Sequence, residues 1–116
     1  MASDNCLFCR IANSAIPAKK IADDEYVVAF HDINPQAPTH FLVIPRRHIE
    51  KLDDLGREDA AAIGMAIVRA SEIARDLGLN AEGYRIVANN GEGAGQTVFH
   101  IHFHVLGGRE FGWPPG

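Results

Sequence analysis

Three histidines occupy alternate positions near the end of the chain, in the stretch TVFHIHFHVL at residues 97–106. Alternation predicts a β-strand, in which residues two apart share a face, so His100, His102 and His104 should point the same way. At a rise of about 3.3 Å per residue, the outer two Cα atoms would lie roughly 13 Å apart. Because zinc needs each nitrogen at about 2.0 to 2.1 Å, one ion could bind two neighbouring imidazoles but hardly all three.

These imidazoles could instead attack phosphorus without a catalytic metal. An imidazole with the ordinary pKa of about 6.5 is largely unprotonated at neutral pH, and it can accept a phosphoryl group and release it to water. His102 is the candidate nucleophile because a histidine flanks it on each side. His104, one step along the same face, could carry positive charge or donate a hydrogen bond to a phosphoryl oxygen.

A glycine-rich segment, NNGEGAGQT at residues 89–97, precedes the histidines. Its alternate glycines let main-chain N–H groups approach a ligand, although such a segment can also be a merely flexible hairpin loop. It lacks the G-K-[ST] ending of a P-loop and does not open a helix, which excludes the nucleotide motifs built on helix dipoles. The segment could supply amides beside His102, together with Thr97, that suit phosphate oxygens.

The two cysteines, Cys6 and Cys9, have the C-x-x-C spacing. In a reducing compartment this spacing indicates a metal half-site or a redox pair rather than a structural disulfide. A redox pair would follow a strand, which is not predicted here, whereas a zinc site would need two more ligands. His100 and His48 are the best candidates. A closed set of four protein ligands would be structural, because it leaves no position for a substrate.

The elements that position these residues follow from the patterns along the chain. We predict a short helix at residues 4–13, capped by Ser3 or Asp4, and strands at 21–23, 26–31, 40–44 and 84–88. Residues 58–77 should form an amphipathic helix ended by Gly78, with one apolar stripe of Ile63, Ile67, Ala70, Ala74 and Leu77. With the histidine stretch as the fifth strand, the pattern predicts an α+β fold with a mainly antiparallel sheet.

Length and composition limit the remaining possibilities. With 116 residues and no repeat or linker, the chain should form one domain over residues 1–116. The formal charge of −4, without a long basic run, argues against nucleic-acid binding. The first residues, MASDNCLFCRIANS, contain neither a signal sequence nor a membrane span, so we expect a cytoplasmic protein. His31 and His40, at the ends of apolar strands, could simply be hydrogen-bonded residues of the core or rim.

Together these motifs resemble the histidine-triad (HIT) superfamily. Residues 100–106, HIHFHVL, are similar to its signature of three histidines alternating with apolar residues. The resemblance extends to IPAK at 16–19, FHDINPQAPTHFLVIP at 30–45, GQTV at 95–98 and WPPG at 113–116. The APTHFLVIP strand and the WPPG ending resemble the histidine-triad nucleotide-binding (Hint) branch rather than the diadenosine polyphosphate hydrolases or the uridylyltransferases.

The resemblance implies a homodimer whose subunits join their five-stranded sheets, each with one long helix and a short N-terminal helix. It also implies hydrolysis of purine nucleoside 5′-phosphoramidates such as AMP-lysine, in which His102 attacks the α-phosphorus and forms a nucleotidyl-histidine. Asp32 would hold the ribose hydroxyls and His40 would belong to the supporting hydrogen-bond network. The apolar side chains that would line the pocket for the purine base are Leu7, Phe8, Ile11, Phe30, Ile33 and Leu42. The phosphate would be surrounded by Asn89, Gly95, Gln96, Thr97 and His104.

Members of this branch that keep C-x-x-C imply zinc held by Cys6, Cys9, His48 and His100. Such a zinc would be structural, and no catalytic metal is expected. Three other functions are compatible with the same residues: a dinucleoside polyphosphate hydrolase, a non-catalytic nucleotide-binding module, and a zinc hydrolase that activates water on two strand histidines and a third ligand.

Overall fold

The computed structural model describes residues 5–116, so the predicted caps Ser3 and Asp4 lie outside the described residues. The first helix, α1, covers Leu7–Ala12, and its N-cap is Cys6. The Cys6 thiol accepts a hydrogen bond from the Cys9 amide at 3.4 Å. The first cysteine of the C-x-x-C motif therefore caps the helix that carries the second one, and the predicted start at residue 4 was too early.

Five strands form one antiparallel sheet. They are β1 Lys20–Asp23, β2 Val27–His31, β3 Thr39–Pro45, β4 Tyr84–Val87 and β5 Phe103–Gly107, and their order across the sheet is β1-β2-β3-β5-β4. The first four begin and end within one residue of their predicted bounds. Because β5 lies between β3 and β4, His104 pairs with Leu42 on one side and Val87 on the other. The predicted α+β class with a five-stranded antiparallel sheet is confirmed.

The histidine stretch is a strand only in part. β5 begins at Phe103, so His100 and His102 precede it, contrary to the prediction of one continuous strand. The Ile101 amide donates to the carbonyl of Ile49, 2.8 Å away, and this partner lies outside the sheet. The alternation of faces persists nevertheless, because Ile101, Phe103 and Val105 all enter the core on the side opposite to the histidines.

The long helix, α2, covers Ala60–Asp76 and is followed by Leu77 and Gly78, whose left-handed φ of 78° suits glycine. Its buried face contains Ala66, Ala70, Ile73 and Ala74. The predicted stripe was wrong at Ile67 and Leu77, which are 38% and 45% exposed. Burial is centred on alanines, whose small side chains let the helix lie close to the sheet, and Leu77 already follows the last helical residue.

The two faces of the sheet carry different structures. α2 covers one face through a core that includes Val27, Phe41, Val43 and Phe103. α1 covers part of the other face, where Phe8 and Ile11 pack against Phe30 and Leu42. His40 and the three histidines of residues 100–104 lie on the α1 side. No helix within residues 5–116 combines the length and the apolar character of a membrane span.

Candidate active site

The structure brings four histidines together in one row on the α1 side of the sheet, and the ring of His48 lies beside His100 at the end of that row. The ring centroids of His102 and His104 are 5.0 Å apart, and those of His104 and His40 are 5.2 Å apart. His40 comes from β3, the neighbour of β5. His100 is fully buried, whereas His31 is exposed at the end of β2 and belongs to the rim. The row of imidazoles is therefore built from two adjacent strands and the segment that leads into β5.

A backbone carbonyl orients His102. Its Nδ1 lies 2.8 Å from the carbonyl oxygen of His100. Because a carbonyl only accepts hydrogen bonds, Nδ1 must carry the proton, and in the neutral ring Nε2 holds the free lone pair. Burial lowers the pKa of His102, although the bond to His100 and the charge of Asp32 oppose this effect. His102 thus has an unprotonated Nε2 at neutral pH.

A second chain of hydrogen bonds orients His40 and His104. The main-chain N–H of Gln36 donates to His40 Nδ1 at 3.0 Å, so the proton of neutral His40 is on Nε2. That Nε2–H donates to His104 Nδ1 at 2.9 Å, which leaves the His104 proton on its own Nε2. The carboxylate of Asp32 lies 3.4 Å from His40 Nε2. No pattern in the sequence marks Gln36 for this role, because its main chain rather than its side chain makes the contact.

His104 is neutral in this arrangement. Burial, followed by the effects of His102 and His40, lowers the pKa of His104 to about 4, although Asp32 opposes the shift. Of the two roles predicted for His104, the structure favours donation by a neutral ring over a permanent positive charge. His102 and His104 therefore offer complementary groups, a lone pair on one Nε2 and a proton on the other.

The four predicted metal ligands converge on one point. His48 and His100 present Nδ1 atoms 3.3 Å apart, and Cys9 Sγ lies 3.3 Å from the first and 3.5 Å from the second. Cys6 Sγ lies 3.4 Å from His100 Nδ1. Tetrahedral zinc with ordinary bond lengths separates two nitrogens by about 3.3 Å and a sulfur–nitrogen pair by about 3.6 Å. These four side chains could bind a metal such as zinc.

The outer nitrogen of His100 completes the geometry of this cluster. Its Nε2 donates to the Pro45 carbonyl at 2.7 Å, so Nδ1 is the unprotonated atom that faces the thiols. Such an outer hydrogen bond from a ligating histidine to a carbonyl is typical of zinc sites. Burial lowers the pKa of His100 to about 4, which also keeps Nδ1 free of a proton.

Most of the predicted base wall lies in one apolar cluster beside the histidines. Phe8, Ile11, Phe30 and Leu42 are buried together in it. The ring of Phe8 meets that of His102 edge-on, with centroids 5.0 Å apart. Two predicted members lie elsewhere. Ile33 is fully exposed, and Leu7 is 44% exposed and lines a cavity of about 320 Å³ together with Thr97.

The glycine segment is a shaped loop that contains a 3₁₀ turn at Glu92–Ala94, with positive φ angles at the glycines on either side. Gln96 is buried, and its side chain accepts from the Gly91 amide and donates to the carbonyls of Glu50 and Val98. Gln96 therefore maintains the loop rather than offering its amide to a ligand. The side chain of Asn89 lies close to Gly95, because a Cβ atom added to Gly95 would be 3.7 Å from Asn89 Nδ2.

Comparison with known proteins identifies the family. Residues 13–111 match the HIT domain. The chain belongs to the HIT domain family. An uncharacterized HIT-like protein from Synechocystis sp. is 47% identical to this HIT chain over 114 residues, which are 98% of this chain and 99% of the relative.

Solved structures agree with this assignment. A HIT family hydrolase from Legionella pneumophila is 48% identical, with a TM-score of 0.95 and coverage of 97% of this HIT chain and 100% of the other. A histidine triad nucleotide-binding protein from Candida albicans is 30% identical, with a TM-score of 0.81 and coverage of 97% and 85%.

Metal titration tests the cluster of two cysteines and two histidines. We expect metal-stripped protein to take up one tightly bound equivalent of Zn²⁺ and to melt at a higher temperature, because a ligand that binds only the folded state stabilises it. With Co²⁺ in place of zinc, a thiolate charge-transfer band should appear in the near ultraviolet. Cys9→Ser should weaken both signals, whereas His31→Asn should leave them unchanged. Equal uptake and melting temperature in Cys9→Ser would contradict metal binding at this cluster.

Proposed function

We propose that this HIT chain hydrolyses purine nucleoside 5′-phosphoramidates in two displacements at phosphorus. The proposal depends on the orientation of His102. The His100 carbonyl accepts a hydrogen bond from its Nδ1–H, which leaves the Nε2 lone pair free, and the neighbouring ring of His104 carries its proton on Nε2. A nucleophile must be unprotonated and fixed in direction, and His102 meets both requirements. The names of the relatives support the proposal, because the Legionella protein is called a hydrolase and the Candida protein nucleotide-binding.

In the first step, the lone pair of His102 Nε2 forms a bond to the α-phosphorus and the P–N bond breaks. The electron pair of that bond leaves with the amine, which takes a proton from water. The Nε2–H of His104 donates to a non-bridging oxygen as negative charge builds on the phosphoryl group. In the second step, water attacks the nucleotidyl-histidine, the N–P bond breaks, and its electron pair returns to His102 Nε2. The proton that this water loses neutralises the hydroxide left by the first step.

The surroundings of His102 suit a nucleoside monophosphate. The apolar cluster of Phe8, Ile11, Phe30 and Leu42 supplies a wall for a purine. Asp32 is half-buried beside His40 and His104, where a carboxylate could accept hydrogen bonds from ribose hydroxyls. The loop that Gln96 holds in place could supply main-chain amides to phosphate oxygens, together with the exposed hydroxyl of Thr97.

The cluster of Cys6, Cys9, His48 and His100 would hold a structural zinc. Bound there, zinc would link α1 to the segment that carries the nucleophile, since the cysteines flank Phe8 and His100 precedes His102 by two residues. All four positions of a tetrahedral ion are filled by protein, so the chemistry at phosphorus is left to the imidazoles.

A homodimer is the proposed assembly. The sheet order leaves β4 at one edge of the sheet, without a neighbour beyond it among the described strands. Tyr84 of β4 donates to Ser71 of α2 at 3.0 Å, so this edge continues into the outer face of the helix. That face exposes Met65 and Val68, which are 40% and 52% accessible. An open edge beside exposed apolar side chains is typical of a surface that pairs with another sheet.

Removal of the nucleophile tests the reaction. His102→Ala should lower kcat for a fluorogenic adenosine phosphoramidate by at least about 1,000-fold, since it eliminates the covalent route. His31→Ala, at an exposed histidine far along β2, should keep the activity of the parent. Undiminished turnover by His102→Ala would refute the proposal. Loss of turnover when a chelator strips the metal at unchanged fold would instead identify a zinc hydrolase.

A pair of lysine substitutions on α2 tests the dimer. Val68→Lys places a charge in the proposed interface, and sedimentation velocity should show a shift from dimer to monomer because an unpaired charge is costly to bury. Leu77→Lys is the matched control, since Leu77 is similarly exposed but lies at the end of the helix. A parent protein that sediments as a monomer, or a Val68→Lys variant that remains a dimer, would contradict this interface.

A further inference from the structure

We propose that Asp32, His40 and His104 form a second metal site, distinct from the cysteine cluster, that takes zinc or cobalt(II) in place of nucleotide. All three side chains offer ligand atoms that lie within 4.8 Å of one another. The metal site rests on the geometry of these atoms alone. Its inhibitory consequence rests on the proposed function, because it assumes that nucleotide uses the same three residues.

The spacing of the ligand atoms suits a small transition-metal ion. His40 Nε2 lies 2.9 Å from His104 Nδ1 and 3.4 Å from an Asp32 carboxylate oxygen, and the last two atoms are 4.0 Å apart. A tetrahedral ion at about 2.0 Å from each ligand atom separates any two of them by about 3.3 Å. The 3.4 Å pair already has this separation, whereas the 2.9 Å pair must widen by roughly 0.4 Å and the 4.0 Å pair must narrow by roughly 0.7 Å. An ion could therefore be bound after side-chain movements of less than about 1 Å.

The donor set and its accessibility favour a particular class of metal. Two imidazoles and one carboxylate suit zinc and cobalt(II) better than magnesium or calcium, which prefer oxygen ligands. The Asp32 and His104 side chains are 18% and 22% exposed, so solvent reaches the site and water can complete the coordination. This arrangement differs from the cysteine cluster, in which protein supplies all four ligands.

Metal binding has a defined cost in hydrogen bonds. The ion must replace the proton that His40 Nε2 shares with His104 Nδ1. The proton of neutral His40 would then move to Nδ1. In the metal-free protein Nδ1 accepts a hydrogen bond from the Gln36 N–H, so after the move an N–H would face another N–H. Because two donors would then oppose each other, the site should bind metal more weakly than the cysteine cluster. Reversible occupancy at elevated metal concentration is the expected behaviour.

The bound ion would exclude nucleotide. Coordination occupies the carboxylate oxygen of Asp32 that would otherwise face ribose, and it removes the hydrogen bond by which His40 orients His104. Under the proposed function, the metal and the nucleotide therefore compete for the same protein. Addition of a chelator should restore activity, because only His40 changes its proton position and no covalent bond is broken.

The test uses full-length protein preloaded with one equivalent of Zn²⁺ and then titrated with Co²⁺. We expect visible d–d bands without a thiolate charge-transfer band, which distinguishes an N/O site from the cysteine cluster. Asp32→Asn retains a side-chain oxygen that can accept the hydrogen bond from the Asn34 main-chain N–H. It removes the carboxylate charge, however, and should weaken this Co²⁺ binding at least about 10-fold. Asp54→Asn, at an exposed carboxylate, should bind Co²⁺ like the parent. An equal titration of the parent and Asp32→Asn, or the absence of any band, would overturn the site.

Competition is measured in the same samples. Saturating AMP should abolish the Co²⁺ bands, and Co²⁺ should inhibit phosphoramidate turnover over the concentration range of the titration. Co²⁺ that binds with no effect on turnover would overturn the inhibition and leave the metal site standing. Failure of the proposed function shows separately, as a lack of His102-dependent turnover in chelator-treated protein without Co²⁺.

Discussion

Hydrogen bonds from the main chain to imidazole rings are the constraint on which the site depends. Three histidines are each fixed by one backbone group: His102 by the carbonyl of His100, His100 by the carbonyl of Pro45, and His40 by the amide of Gln36. A neutral imidazole has two nitrogens of opposite character, so a single fixed partner decides which one is free. Since backbone groups do not titrate, these assignments hold as long as the chain keeps its fold.

His100 connects the two halves of the site. Its side chain faces Cys6 and Cys9 through Nδ1, while its carbonyl holds the ring of His102. Phe8 lies between the two cysteines in the chain and also touches the His102 ring edge-on. The residues that could bind metal and the residue proposed as the nucleophile therefore lie in one continuous stretch of chain, in which alternate histidines have different surroundings.

Much of the arrangement is readable from the sequence, because local patterns carry it. Alternation correctly separates the histidine face from the face of Ile101, Phe103 and Val105 even where the strand itself is missing. The cysteine spacing correctly marks two members of a four-residue cluster. The backbone partners of the rings could not be predicted from the sequence, because the Pro45 carbonyl and the Gln36 amide approach the rings only through tertiary packing. Ile33, fully exposed despite its apolar side chain, shows the same limit.

Nitrogen-15 NMR of the histidine side chains measures which ring nitrogen carries the proton. In protein at neutral pH, we expect a protonated Nδ1 and an unprotonated Nε2 for His102, and the opposite tautomer for His104. Single substitutions of each histidine would assign the signals, and the exposed His31 would serve as an internal reference for a solvent-exposed imidazole. A His102 ring that carries its proton on Nε2, or that is doubly protonated at neutral pH, would contradict the claim that the backbone holds a free nucleophile at this position.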